Sequence, residues 1–250
     1  MLKDCGNWKG MVINMHDIWF EVKKLRGVGL FVGGILFTFL MTSFQGYAAL
    51  VTEEISWEIL HITAMDFFST FIYPLLISFI VIRGFSVEKQ NSGFLNYYSN
   101  NISLKKMYGM KIATSYLVGV LFLLEAFIIT AIYIYIKGGN VIYVYMSNWK
   151  FVFLYIMAMG TVINIMGILC ICIKNQLIPG VIAIIAVVFG SVTNVMGISY
   201  INPWGYFESS FYYRGLDSVD KIAMFIVFGL SVLVLSCKIN RILHSLVDAV

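Results

Sequence analysis

The chain has 250 residues, 60% of them hydrophobic and only 12% charged, with a formal net charge of +4. Its mean hydropathy is +0.87. A soluble domain of this size needs far more polar surface, so the composition excludes one and points to a polytopic membrane protein.

The first predicted element is amphipathic. Trp8, Met11, Val12, Met15, Ile18, Trp19, Val22 and Leu25 recur every three or four residues, with Lys9, Asn14, Asp17, Glu21, Lys23 and Lys24 between them. That period predicts a helix within residues 1–27. Its two tryptophans and basic polar face suit the headgroup region, so it is expected to lie flat on the inner leaflet. The alternative is a soluble helix packed on a partner subunit. About 25 residues with several charges precede the first span, too polar a stretch to be expected as a short cleavable signal.

A spanning helix needs about 20 apolar residues. Residues 28–250 hold six such runs, Val28–Leu50, Ile62–Ile82, Ile112–Ile136, Phe151–Ile173, Leu177–Ile198 and Ile222–Cys237. The runs are continuous rather than alternating, so the expected fold class is all-α integral membrane, not a barrel. Pro74 falls inside the second run and is expected to bend it. Pro179 falls in the first turn of the fifth, where proline is tolerated.

Two connections stand out. Arg83 to Lys111, between the second and third spans, carries five basic residues and one acid. The second span is expected to continue as a helix through Glu88 and Lys89 and to break at Ser92-Gly93. Residues Ile102–Tyr108 then read as a short amphipathic segment capped by Ser103. Residues 199–220 contain seven aromatics, too apolar for a solvated loop, and are expected to dip into the outer interface.

With six spans, one side of the membrane receives thirteen of the 17 Lys and Arg residues and the other side four. The positive-inside rule therefore places both termini and the insert in the cytoplasm. The net charge reflects topology, and no basic stripe on a polar domain suggests nucleic acid. Cys5, Cys170, Cys172 and Cys237 all fall near the reducing face, where thiols stay free.

No G-x-x-x-x-G-K-[ST] motif is present, so the chain has no phosphate-binding loop and no ATP or Mg site of its own. Glu53, Glu54 and His61 evoke a metalloprotease, but H-E-x-x-H is absent and these acids fall at the outer surface. G-x-S-x-G is absent too. With Glu58, these residues read as an acidic outer loop able to attract a cationic peptide. Glu125 is the only acid deep within a run, and Gln45 and Asn164 are candidates either for its partners or for interhelical hydrogen bonds of their own. Gly29/Gly33 and Ala186/Gly190 are small-residue pairs at four-residue spacing, which permits close helix approach in lipid. No internal repeat is visible, which argues against an inverted-repeat secondary transporter.

The insert, with Glu88-Lys89, Gly93 and Ser103-Leu104-Lys105-Lys106, resembles that of type-2 ATP-binding-cassette (ABC) permeases. The resemblance covers the whole chain: amphipathic N-terminal helix, six spans and an aromatic segment before the last. It implies that Glu88, Lys89, Gly93, Ser103, Lys105 and Lys106 couple to a separate cytoplasmic ATPase dimer, which carries the ATP and Mg. It further implies a short re-entrant segment over 199–220, and a second six-span permease chain, identical or different, meeting this one at Gly29/Gly33 and Ala186/Gly190. The compact size is similar to lantibiotic and bacitracin self-protection permeases of a bacterial plasma membrane, whose substrate would be an amphipathic antimicrobial peptide. Other readings stay open: export of another amphipathic drug or lipid-linked substrate, or a non-transporting scaffold or sensor subunit.

Overall fold

The computed structural model describes residues 15–26, 29–52, 56–90, 104–147, 149–173, 175–198, 201–211, 226–232 and 234. The described regular structure is entirely helical. Helix α1 covers Met15–Arg26, α2 Leu30–Val51, α3 Trp57–Phe67 and α4 Tyr73–Gln90, with a π-helical turn, Phe68–Ile72, joining α3 to α4. Next come α5 (Leu104–Ile136), α6 (Val141–Ser147), α7 (Trp149–Cys172) and α8 (Leu177–Val195). A 3-10 turn, Pro203–Gly205, leads into α9 (Tyr206–Phe211).

Five described stretches are long and apolar enough to cross a bilayer: Phe31–Val51, Ile59–Val87, Lys106–Ile136, Val152–Cys172 and Leu177–Val195. They match the first five expected spans. The chain is therefore a multi-pass membrane protein. The sixth expected span is described only at 226–232 and 234, which are helical, and otherwise lies outside the described residues.

Two boundaries differ from expectation. The second span runs 29 residues rather than 21, because α3, the π turn and α4 form one continuous rod. Instead of a simple proline bend, the π turn sits just before Pro74, with Tyr73 N–H donating to the Phe68 carbonyl five residues back. A widened turn fits beside a proline that supplies no N–H. The helix of the third span runs unbroken for 33 residues from Leu104, so 104–108 lead straight into the span as its first turn rather than as a separate short helix; Ile102 and Ser103 lie outside the described residues. No proline interrupts residues 104–136, and Gly109 alone costs too little to break the helix.

The second span is the hub. Its central window is 72% buried, against 28% for each of the first and fifth spans. Tyr73 lies at its middle, fully buried, donating to the Gly119 carbonyl of α5 at 3.0 Å with Met159 Sδ of α7 equally close. Leu40 and Phe44 on α2, Ile128 on α5 and Ile185 on α8 are exposed, as lipid-facing side chains are.

The bundle has two distinct ends. Gln90 and Leu104 mark the insert end. Lys137, just past α5, donates to Ala49 O (3.2 Å) and Thr52 O (2.9 Å) at the close of α2, so α2 and α5 run in parallel to the far end. Glycines let them touch. A Cβ on Gly34 would lie 2.5 Å from the Phe122 ring, and one on Gly46 would collide with Tyr133.

Candidate functional site

At the insert end three helices converge on one ammonium. Lys111 of α5 donates to Glu21 Oε2 of α1 at 3.0 Å and to the Gly84 carbonyl of α4 at 2.7 Å. Glu21 Oε1 accepts from Lys24 at 2.9 Å. The ammonium also stands 5.9 Å from the Phe85 ring centre, and Phe85 packs on Tyr108 at 5.6 Å. Glu21 and Lys111 are 5% and 3% exposed. Both charges have left water, so each needs the other: a buried carboxylate without its cation would cost several kcal/mol.

This junction fixes how α1 sits. Val22 and Glu21 are buried against the bundle, whereas Trp19 and Phe20 are each 57% exposed. The expected apolar face is therefore divided: Val22 packs on the chain's own spans, and Trp19 points away. Helix α1 rests on α2, α4 and α5 of its own chain. Sequence reasoning counted Glu21 as part of a polar face and Lys111 as one of five insert charges, and singled out neither. The available signal was Lys111 sitting against an apolar run, where a lysine needs a partner.

The expected coupling residues fall on the stems of the insert. Glu88 and Lys89 are in the last turn of α4, and Lys105 and Lys106 in the first turn of α5. Gly93 and Ser103, with the side chains of Glu88, Lys89 and Lys105, lie outside the described residues. So do Glu53, Glu54 and the side chain of Glu58.

Of the two readings of the intramembrane polar residues, Asn164 takes the interhelical one. Asn164 Nδ2 donates to Ser231 Oγ at 3.2 Å, tying α7 to the helical stretch 226–232 rather than to Glu125. Gln45 Oε1 and Glu125 Oε2 are buried and make no hydrogen bond among the described residues. Among the described residues neither Gln45 nor Asn164 pairs with Glu125.

The small-residue pairs also separate. Gly29 is the left-handed N-cap of α2 (φ 74°), and neither it nor Gly33 has any atom within 4 Å of a would-be Cβ. On α8 the same row is already covered by this chain. A Cβ on Gly190 would meet Gly205 N at 2.8 Å, and Ala186 O accepts from Asn202 Nδ2 at 2.7 Å.

That cover is the aromatic segment. Trp204, Tyr206 and Phe207 are buried, so they pack inside the bundle rather than merely floating at an interface. Trp204 Nε1 donates to Ser78 Oγ of α4 at 3.1 Å. Phe207 stacks edge-on against Tyr155 (5.0 Å) and Tyr73 (5.4 Å). Asn194 Nδ2 bridges Gly205 O and Glu208 Oε2, both at 2.9 Å. Burial holds the Glu208 carboxyl above the ordinary glutamate value, with nearby Asp66 adding to the rise and the Asn194 and Thr70 hydrogen bonds opposing it.

Compared with known protein families, curated proteins and solved structures, the chain matches none.

Proposed function

We propose that this chain is the permease subunit of an ATP-driven ABC exporter in a bacterial plasma membrane, with both termini and the insert in the cytoplasm. A separate ATPase dimer binds ATP and Mg and pushes on the insert, and a second permease chain completes the pathway. The proposed cargo is an amphipathic antimicrobial peptide, expelled for self-protection. In this reading the sixth span closes the bundle and residues 199–220 are re-entrant. The contacts of Asn202 with Ala186 and of Glu208 with Asn194 support a segment that drops beside α8 and rises again.

The observation that carries the reading is the Glu21–Lys111–Gly84 junction. It joins α1 to both helical stems of the insert, so a push on the insert moves three helices together. A loop loosely tethered to the bundle would transmit nothing. The open faces of α2 and α8 support a second chain, since these spans bury least within their own fold.

Purification from native membranes in mild detergent tests the class. A permease retains a nucleotide-binding chain at defined stoichiometry, and Glu88→Arg or the pair Lys105→Glu/Lys106→Glu releases it or abolishes coupled ATP hydrolysis. A chain that purifies without an ATPase, or with one indifferent to these changes, is a scaffold or sensor instead.

A further inference from the structure

Between the two glycine contacts of the α2–α5 seam lies a set of polar atoms that make no hydrogen bond among the described residues. Gly34, Thr38, Thr42 and Gly46 form one row at four-residue spacing along α2. The ends of the row abut Phe122 and Tyr133 of α5. The helices run in parallel, so Thr38 and Thr42 stand level with roughly residues 126 to 130. Glu125 occupies the α5 position next to that level.

Thr38 and Thr42 are fully buried. A threonine inside a helix ordinarily returns its hydroxyl to the carbonyl four residues back. Thr130 does so to Ala126 O, and Thr161 to Met157 O. Thr38 and Thr42 do not. Their Oγ1 atoms, like Gln45 Oε1 and Glu125 Oε2, make no hydrogen bond among the described residues. Four such atoms on one parallel helix pair, inside hydrocarbon, call for a ligand.

The atoms specify its chemistry. All are oxygens: one carboxylate, one amide carbonyl and two hydroxyls. The carboxylate and carbonyl can only accept, and the hydroxyls can accept as well as donate. Hard oxygen donors with a single negative charge suit one positive charge, whereas divalent sites gather more carboxylates. Leu124 and Ile128, flanking Glu125, are 49% and 61% exposed, which sets Glu125 beside a lipid-facing strip that an amphipathic amine can reach.

We propose that the α2–α5 seam binds a monocationic group, held by Glu125 with Thr38 and Thr42; Gln45 stands about 10 Å further along α2 than Thr38, beyond the reach of the same small cation. The group is a free Na⁺ or K⁺ ion or the primary ammonium of an amphipathic amine. This site stands whether or not the chain is a transporter.

The purified chain in neutral detergent provides the test. Its thermal midpoint is followed in NaCl, KCl or n-octylammonium chloride, each against choline chloride at equal ionic strength. Choline carries one charge but has no N–H and is too bulky for an oxygen shell. At ten times the dissociation constant the midpoint should rise by about 3 °C. Glu125→Gln should abolish the rise, and Thr38→Val with Thr42→Val should weaken apparent affinity about tenfold. A response to the metal ions alone assigns a free ion, and a response to octylammonium alone assigns an amine. No response in the native chain, or an equal response in Glu125→Gln, overturns the site. Should Glu125→Gln fail to fold, the threonine pair decides, because its hydroxyls make no hydrogen bond among the described residues. An undiminished response there also overturns it.

Discussion

At the insert end the bundle is held by charge: a lysine, a glutamate and a backbone carbonyl, all out of water. From the middle toward the far end, where Lys137 also holds the last α2 carbonyls, it is held mostly by neutral contacts: a tryptophan on a serine, a phenylalanine between two tyrosines, and an asparagine bridging a short segment to α8. A buried ion pair is rigid in direction and costly to break, because each partner is left uncompensated. Aromatic packing with single hydrogen bonds gives way in smaller steps. The difference teaches where this molecule can yield. The insert end moves as a body, and the far end can rearrange contact by contact.

The sharpest way to break this contrast is to remove one charge. Lys111→Met should cost about 3 kcal/mol, since Lys24 still holds one oxygen of Glu21. Thermal unfolding in detergent reads the loss. Adding Glu21→Leu should restore most of it, because an apolar pair replaces an ionic one. A double variant as unstable as the single would show that packing, not charge, holds this end. At the far end Gly190→Val should cost about 1–3 kcal/mol by forcing Gly205 away from α8. Accessibility of a cysteine placed at Ala186 should rise with it, while one at Gly84 stays unchanged.

The smallest effect concerns pH. The carboxyl of Glu208 is held above its ordinary value of 4.5 by burial, so folding favours its protonated form. Its contribution is full below that ordinary value and is lost as pH rises through the elevated one. The thermal midpoint should therefore fall slightly on going from acid to mildly alkaline buffer. Glu208→Gln should flatten that slope, and a slope unchanged by the substitution would acquit this residue.

Much of the fold was legible in the sequence, because a run of about 20 apolar residues has few other uses. The five described spans fall where those runs fall. The continuation of α4 through Glu88 and Lys89 was legible too, but the other helix ends were less so: α3 starts ahead of the second apolar run and α5 ahead of the third, where hydropathy gives little signal. The Glu21–Lys111 pair was invisible because 90 residues separate its members, and no local spacing announces such a contact. The glycines illustrate a different failure. Four-residue spacing identified Gly29 and Gly33, yet the contacts with α5 use Gly34 and Gly46. Spacing defines a row on a helix but not which neighbour the row will meet. The aromatic segment was recognised as too apolar for water, but its partners Ser78 and Asn194 lie on spans whose rotation only packing decides.

The π turn at Phe68–Ile72 has a further consequence. A π turn amounts to one extra residue carried inside a helix. Were the turn to rewind into a plain α-helix with every residue kept, α4 would rotate by about 100° against α3. Ser78 would swing from Trp204, and Gly84 from Lys111, in a single step. The turn thus sets the phase of a shaft whose upper half meets the aromatic segment and whose lower half meets the ion pair. The two ends, so unlike in chemistry, are keyed to the same angle.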